Sequence, residues 1–162
     1  MSARTLVGKK AAVIAMAVLV SVGLTSCFAD TSTTPPADPT LAGMYQALNQ
    51  DRAAHGLPAL TWSPKLQNLA GSWAHQMASV NTLYHQNLGS VISTSDFVNY
   101  HTLGENILVG PGSMTPAQME TAWMNSSLHK ANILSGNYNI VGMGVFIGGD
   151  GRIWAVVDFG GI

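Results

Sequence analysis

Two apolar runs, residues 140–147 and 152–159, flank the tetrad Gly148-Gly149-Asp150-Gly151. Glycines accept positive φ without steric cost, so this pattern specifies an antiparallel hairpin. A second strand signal, Asn106-Ile107-Leu108-Val109, is closed by Gly110-Pro111-Gly112. A chain with that ending must build a sheet, and the preceding residues supply the helices to cover it.

The helices announce themselves by their caps. Asp38-Pro39 and Ser63-Pro64 each place a capping side chain before a proline at the first helical position. The first helix would carry Leu41, Met44, Tyr45 and Leu48 on one face and stop at Gly56. The second repeats Leu66, Leu69, Ala70, Trp73, Ala74 and Met77 at three- and four-residue steps, an apolar stripe facing a core. A third opens at Thr115-Pro116-Ala117-Gln118, a capping box with Met114 and Met119 at the spacing of a hydrophobic staple, and points Met119, Ala122 and Trp123 inward. A short fourth covers residues 127–134. Helices around a small, mostly antiparallel sheet give an α+β sandwich. Trp62, Trp73, Trp123 and Trp154 are expected in its core with their indole N–H groups partnered.

The N-terminal part follows other rules. Arg4, Lys9 and Lys10 precede an apolar run over residues 11–24, too short for the roughly 20 residues of a membrane-spanning helix. A basic start, a short apolar middle and small residues after it describe a secretory signal. It ends Leu24-Thr25-Ser26-Cys27, which resembles the lipobox of bacterial lipoproteins. That resemblance implies cleavage before Cys27, the only cysteine, and a diacylglyceryl group on its thiol, making the membrane a partner. A single cysteine also excludes an internal disulfide and any multi-cysteine metal site. Residues 1–26 are thus a lipoprotein signal peptide, and residues 27–38, rich in Thr and Pro, the lipidated cysteine and a flexible linker. Residues 39–162 form the folded domain. After cleavage four basic residues (Arg52, Lys65, Lys130 and Arg152) face eight acidic ones, a net charge of −4. Such a chain has no patch to neutralise phosphates, so nucleic acid is not an expected partner.

Within the domain, several segments in order resemble the CAP superfamily, the SCP-like extracellular domains of cysteine-rich secretory, antigen 5 and pathogenesis-related 1 proteins. They are Leu48-Asn49-Gln50-Asp51-Arg52, Gly56-Leu57-Pro58-Ala59-Leu60-Thr61-Trp62, Tyr84-His85, Gly104-Glu105-Asn106-Ile107, Trp123-Met124-Asn125-Ser126, His129-Lys130-Ala131-Asn132-Ile133-Leu134 and Val141-Gly142-Met143-Gly144-Val145. The disulfide-free bacterial branch is the nearest in pattern. The resemblance implies an α-β-α sandwich and a cleft with two histidines and two glutamates. His85 and His129 match the histidines and Glu105 the first glutamate, whereas Ser126 stands where the second would fall, three residues after Trp123. Asn106, beside Glu105, is placed in the same cleft.

Two imidazoles and a carboxylate are ligands that zinc accepts, with a position left open for water. Their separations match no local metal motif, so their convergence is what the resemblance implies. Glu105 carries the catalytic role if there is one, or else pins a strand end by accepting backbone N–H bonds. Ser126 and Ser127 read as caps of the short helix, and His55 and His75 as surface or hydrogen-bonded residues. Three functions compete. The first is a lipid-tethered, extracytoplasmic binding module for a small apolar ligand or envelope component. The second is a zinc-dependent, peptidase-like hydrolase on His85, Glu105 and His129. The third is a structural envelope protein with a vestigial cleft. The missing second carboxylate turns the expectation towards binding rather than catalysis.

Overall fold

The computed structural model describes residues 30–32, 34 and 36–162. Cys27 and the signal segment lie outside the described residues. The chain then alternates helices and strands: α1 (Pro39–Ala54), β1 (Thr61–Trp62), α2 (Pro64–Ser79), α3 (Leu88–Ile92), a 3-10 turn (Ser95–Phe97), β2 (Thr102–Pro111), α4 (Pro116–Met124), α5 (Ser127–Ile133), β3 (Ile140–Ile147) and β4 (Arg152–Gly161).

The three caps placed before a proline form. The Asp38 carboxylate accepts from the amides of Thr40 and Leu41, and the Ser63 hydroxyl from that of Leu66. Thr115 and Gln118 close a reciprocal capping box, with Met114 and Met119 in one cluster beside it. These contacts satisfy amides that the first helical turn leaves without partners. Ser126 occupies the N-cap position of α5, but its hydroxyl makes no capping bond, contrary to its reading as a cap.

The sheet order is β1-β3-β4-β2, with β1 parallel to β3 and the other pairs antiparallel. The hairpin turns where expected: Gly151 takes φ +76° and its amide bonds to the Gly148 carbonyl. Strand alternation sorts side chains into two layers. Leu41, Met44 and Leu48 of α1, Met119 and Trp123 of α4 and Ile133 of α5 pack on Val141, Met143, Ala155, Val157 and Phe159. On the other face Ala70, Ala74 and Met77 of α2 pack on Ile107, Trp154 and Val156, continued by Leu66, Phe97, Tyr100 and Ile140. The molecule is an α-β-α sandwich.

Several features differ from expectation. β2 runs ten residues rather than four, because Thr102 to Glu105 pair with the end of β4 despite their polar composition. β1, α3 and the 3-10 turn were not foreseen; each is five residues or fewer, too short for periodicity to register. Trp73 is only half-buried, and the Trp154 indole N–H has no partner, although the Arg152 guanidinium stacks on its ring at 4.9 Å. The segment expected to be a free linker touches the fold: Asp30 pairs with Lys65 at 2.6 Å, and the Ser32 amide bonds to the Trp62 carbonyl at 2.7 Å.

Candidate functional site

The site forms around β2, the edge strand. Successive strand residues point to opposite faces, so Glu105 lies on the α2 side and Asn106 on the α5 side. The two therefore reach different elements. His85 and Gln86 come from the segment following α2, which Trp73 holds by donating its indole N–H to the Tyr84 carbonyl at 2.9 Å and meeting the Tyr84 ring edge-on. His85 Nδ1 lies 2.7 Å from Glu105 Oε1, which also accepts the Gln86 amide at 3.0 Å. Glu105 Oε2 accepts from Gln86 Nε2 at 2.7 Å. Both carboxylate oxygens are thus occupied, and the side chain retains only 1% of its exposure, while that of His85 keeps 59%.

On the opposite face Asn106 is fully buried and does not line a cleft. Its amide donates to the His129 carbonyl at 3.0 Å and its oxygen accepts from Asn132 Nδ2 at 2.9 Å. Asn132 also donates to the Glu105 carbonyl at 3.1 Å, which satisfies part of the exposed strand edge. Glu105 and Asn106 together fasten two histidine-bearing segments from opposite layers to one strand. His129, half-buried on α5, is close enough to His85 to feel its charge: burial first, then His85, hold the His129 imidazole below its ordinary value. Ser126, at the start of the same helix, is half-buried with no side-chain hydrogen bond.

Behind the pair lies a residue that sequence reasoning missed. Asp158 of β4 stands opposite Glu105 in the ladder, and Gln86 Nε2 reaches both its oxygens at 3.1 and 3.2 Å. Complete burial, then the Glu105 charge, push Asp158 well above the usual carboxylate range, against the downward pull of the Gln86 amide. A neutral acid is what a fully buried strand position tolerates. Its signal in the sequence is a single carboxylate inside the run Trp154-Ala155-Val156-Val157-Asp158-Phe159. Gln86 adjoins the matched histidine, but nothing in its type singled it out. Arg52 closes the first of the matched motifs. It is fully buried and donates from Nη1 to the carbonyls of Ile133 and Ser135 at 2.7 and 2.8 Å, anchoring the end of α5.

The arrangement sets the chemistry available. Because Glu105 accepts from Nδ1, a proton sits on that nitrogen of His85, and in the neutral ring the lone pair falls to Nε2. Zinc would therefore meet two imidazoles, His85 through Nε2 and His129, with Glu105 orienting His85 rather than coordinating. Among the described residues no three His, Cys, Asp or Glu side chains are grouped as metal ligands. His55 and His75 lie elsewhere on the surface, the one bonded to the Asp51 carbonyl and the other edge-on to Phe146; His101 is exposed at the start of β2.

Comparison with known proteins agrees with the fold. Residues 45–159 match the CAP family, described as the cysteine-rich secretory protein family. Over 115 residues the chain is 33% identical to the uncharacterized protein YkwD of Bacillus subtilis, covering 68% of this chain and 43% of that one. The chain thus spans less than half the length of that relative. Among solved structures, an outer surface protein from Borrelia burgdorferi superposes with a TM-score of 0.68 at 20% identity, over 78% of this chain and 95% of the other. An extracellular protein containing an SCP domain from Bacillus anthracis gives 0.60 at 21% identity, over 80% of this chain and 45% of the other. At such identities these two similarities speak for the fold alone.

Proposed function

The chain belongs to the cysteine-rich secretory protein (CAP) family, and from that premise we propose that it is an extracytoplasmic, lipid-tethered binding domain rather than an enzyme. The observation that carries this reading is the state of Glu105. A general base or nucleophile needs a free oxygen within reach of substrate, and both Glu105 oxygens accept hydrogen bonds from His85 and Gln86. Asp158, the other acid there, is fully buried. Where the second family glutamate would stand, Ser126 offers a neutral hydroxyl. Hydrolysis is not favoured by such a set.

Binding is. Leu83 and Tyr84 precede His85, and Leu128 precedes His129; all three are exposed. Two imidazoles with apolar neighbours suit an amphipathic molecule whose polar head meets the rings while its body lies on the aliphatic rim. An extracytoplasmic place is supported by the secretory signal and by neighbours described as extracellular and outer surface proteins. Native mass spectrometry of protein extracted from membranes should show a co-purifying apolar molecule that is lost in Leu128→Asp. A clean unliganded mass overturns the reading.

The free Nε2 of His85 favours one second reading, a zinc ion held by His85 and His129. Zinc there would supply a polarising charge for the ligand's head group. Calorimetric titration should give one zinc per chain, abolished in His85→Ala and in His129→Ala and weakened as acid protonates the imidazoles. Equal affinity in the wild type and both variants removes the metal.

A further inference from the structure

We propose that the tether lays one particular face of the domain on the bilayer, the face formed by the 3-10 turn, Val98 and the start of α2. The proposal rests on the lipid-anchor reading of Cys27. It goes beyond that reading because an anchor on a free linker would leave the domain unoriented.

The described chain begins already attached. Asp30 lies 2.6 Å from Lys65 Nζ, and the Ser32 amide is bonded to the Trp62 carbonyl at 2.7 Å. Cys27 precedes Asp30 by three residues, which span at most about 10 Å even when extended. A linker free as far as residue 38 would span about 35 Å or more by the same measure. The lipid on Cys27 must therefore enter the membrane within a short radius of Lys65.

What surrounds Lys65 suits that position. The same ammonium donates to the Asp96 carbonyl at 2.6 Å, tying the 3-10 turn to the clamped end of the tether. Val98, two residues further on, is 77% exposed. The same face carries a groove of 410 Å³ in which Pro64, Leu69 and Phe97 alternate with the polar Lys65, Asn68, Ser72 and Asp96. The Lys65 ammonium stands 5.8 and 5.7 Å from the Phe97 and Tyr100 rings, which are themselves buried, so the side chain covers the edge of the core while its head stays at the surface. Net charge does not bring this surface down, because the mature chain carries −4 and has no basic cluster. Proximity does: a short attachment raises the local concentration of the face at the lipid without any further contact. Phe97 packs in the α2 layer and α5 in the opposite one, so the His129 side of the cleft stays clear of the membrane.

The test uses the full-length acylated chain in phosphatidylcholine vesicles. Acylation blocks Cys27, so Val98→Cys or Thr121→Cys provides the sole free thiol for a nitroxide. Thr121 is exposed on α4, in the far layer and outside the proposed ligand rim, and serves as the reference. The label at 98 should lose access to a water-soluble nickel complex while that at 121 keeps it. Adding Lys65→Ala to Val98→Cys should restore access at 98. Equal access at the two positions, both wet or both shielded, overturns the proposal, as does shielding at 98 that ignores Lys65→Ala. Membrane fractionation of Cys27→Ala separates the two claims. If that variant stays with the membrane, the anchor reading fails and this proposal with it. If it is released while the intact protein gives equal access, only the orientation fails.

Discussion

Single side chains in this protein hold positions that their chemistry makes costly. Glu120 of α4 is buried against Asp51 of α1, and neither of its oxygens has a hydrogen-bond donor. Burial first, then the Asp51 charge and the contact with its carboxyl, raise Glu120 from 4.5 to about 8. The unfolded chain ionises this group near 4.5 while the fold keeps it protonated, so stability is full below that pH and falls as pH rises towards 8. At about 1.4 kcal/mol for each pH unit, the loss is on the order of 4 kcal/mol. Urea midpoints of the wild type should therefore decline between about pH 5 and 8 more steeply than those of Glu120→Gln, which keeps only the slope that Asp158 contributes and should be higher at the upper end. Parallel curves for the two proteins would show that Glu120 ionises normally. Asn106 is the complementary case, a polar side chain fully buried because both ends are bonded. Asn106→Ala removes the bond to the His129 carbonyl and one of the two made by the Asn132 amide, at about 1–3 kcal/mol each. Urea unfolding should show a loss of about 2–4 kcal/mol, and α5 amides should exchange faster; an unchanged midpoint would mean that α5 is held by other means.

Among the elements, the contact of α2 with β3 is especially tight and depends on what is missing from the side chains. A Cβ at Gly142 would strike the backbone of Leu66 and Gln67, and one at Gly144 that of Ala70 and Gly71. The helix lies directly on the strand, and backbone atoms cannot swing aside as a side-chain end can. Gly144→Ala should cost about 3 kcal/mol or more, at the upper end of overpacking substitutions. Gly71→Ala, with open space around its Cβ, should be near neutral or slightly stabilising in its helix. Thermal unfolding distinguishes them, and equal melting temperatures would contradict the close approach. The same elements show how far local patterns reach. The helix caps and the 148–151 turn were legible because they depend on residues within four positions. The length of β2 was not, because Gly104 and Glu105 break the apolar run and become strand only by pairing with Phe159 and Asp158.

For the molecule as a whole, burial is graded across the sandwich. Every β4 residue from Ile153 to Gly161 is buried, and β4 is paired on both sides. The segment 80–101, which carries His85, is mostly exposed and has only short helical turns. Amide exchange should be slowest in β4 and the facing residues of β3 and fastest in 80–101, where opening needs little apolar exposure. Uniform protection would contradict a rigid sheet presenting a more mobile histidine segment. Those layers also explain why His85 acts on His129, since an edge strand is where residues from both faces of a sheet come into reach of each other.

The sequence alone determined four of the helices, three of their caps, the hairpin and the family, since each rests on neighbouring residues or on ordered short motifs. Tertiary structure alone decided that Glu105 is spent on His85 and Gln86, that Asn106 serves the opposite layer, that Asp158 stands beneath them, and that Asp30 is clamped at Lys65. The reason is physical: hydrogen bonds between segments 19 to 72 residues apart leave no periodicity along the chain, and the cost of burying a charge is set only once a fold surrounds it.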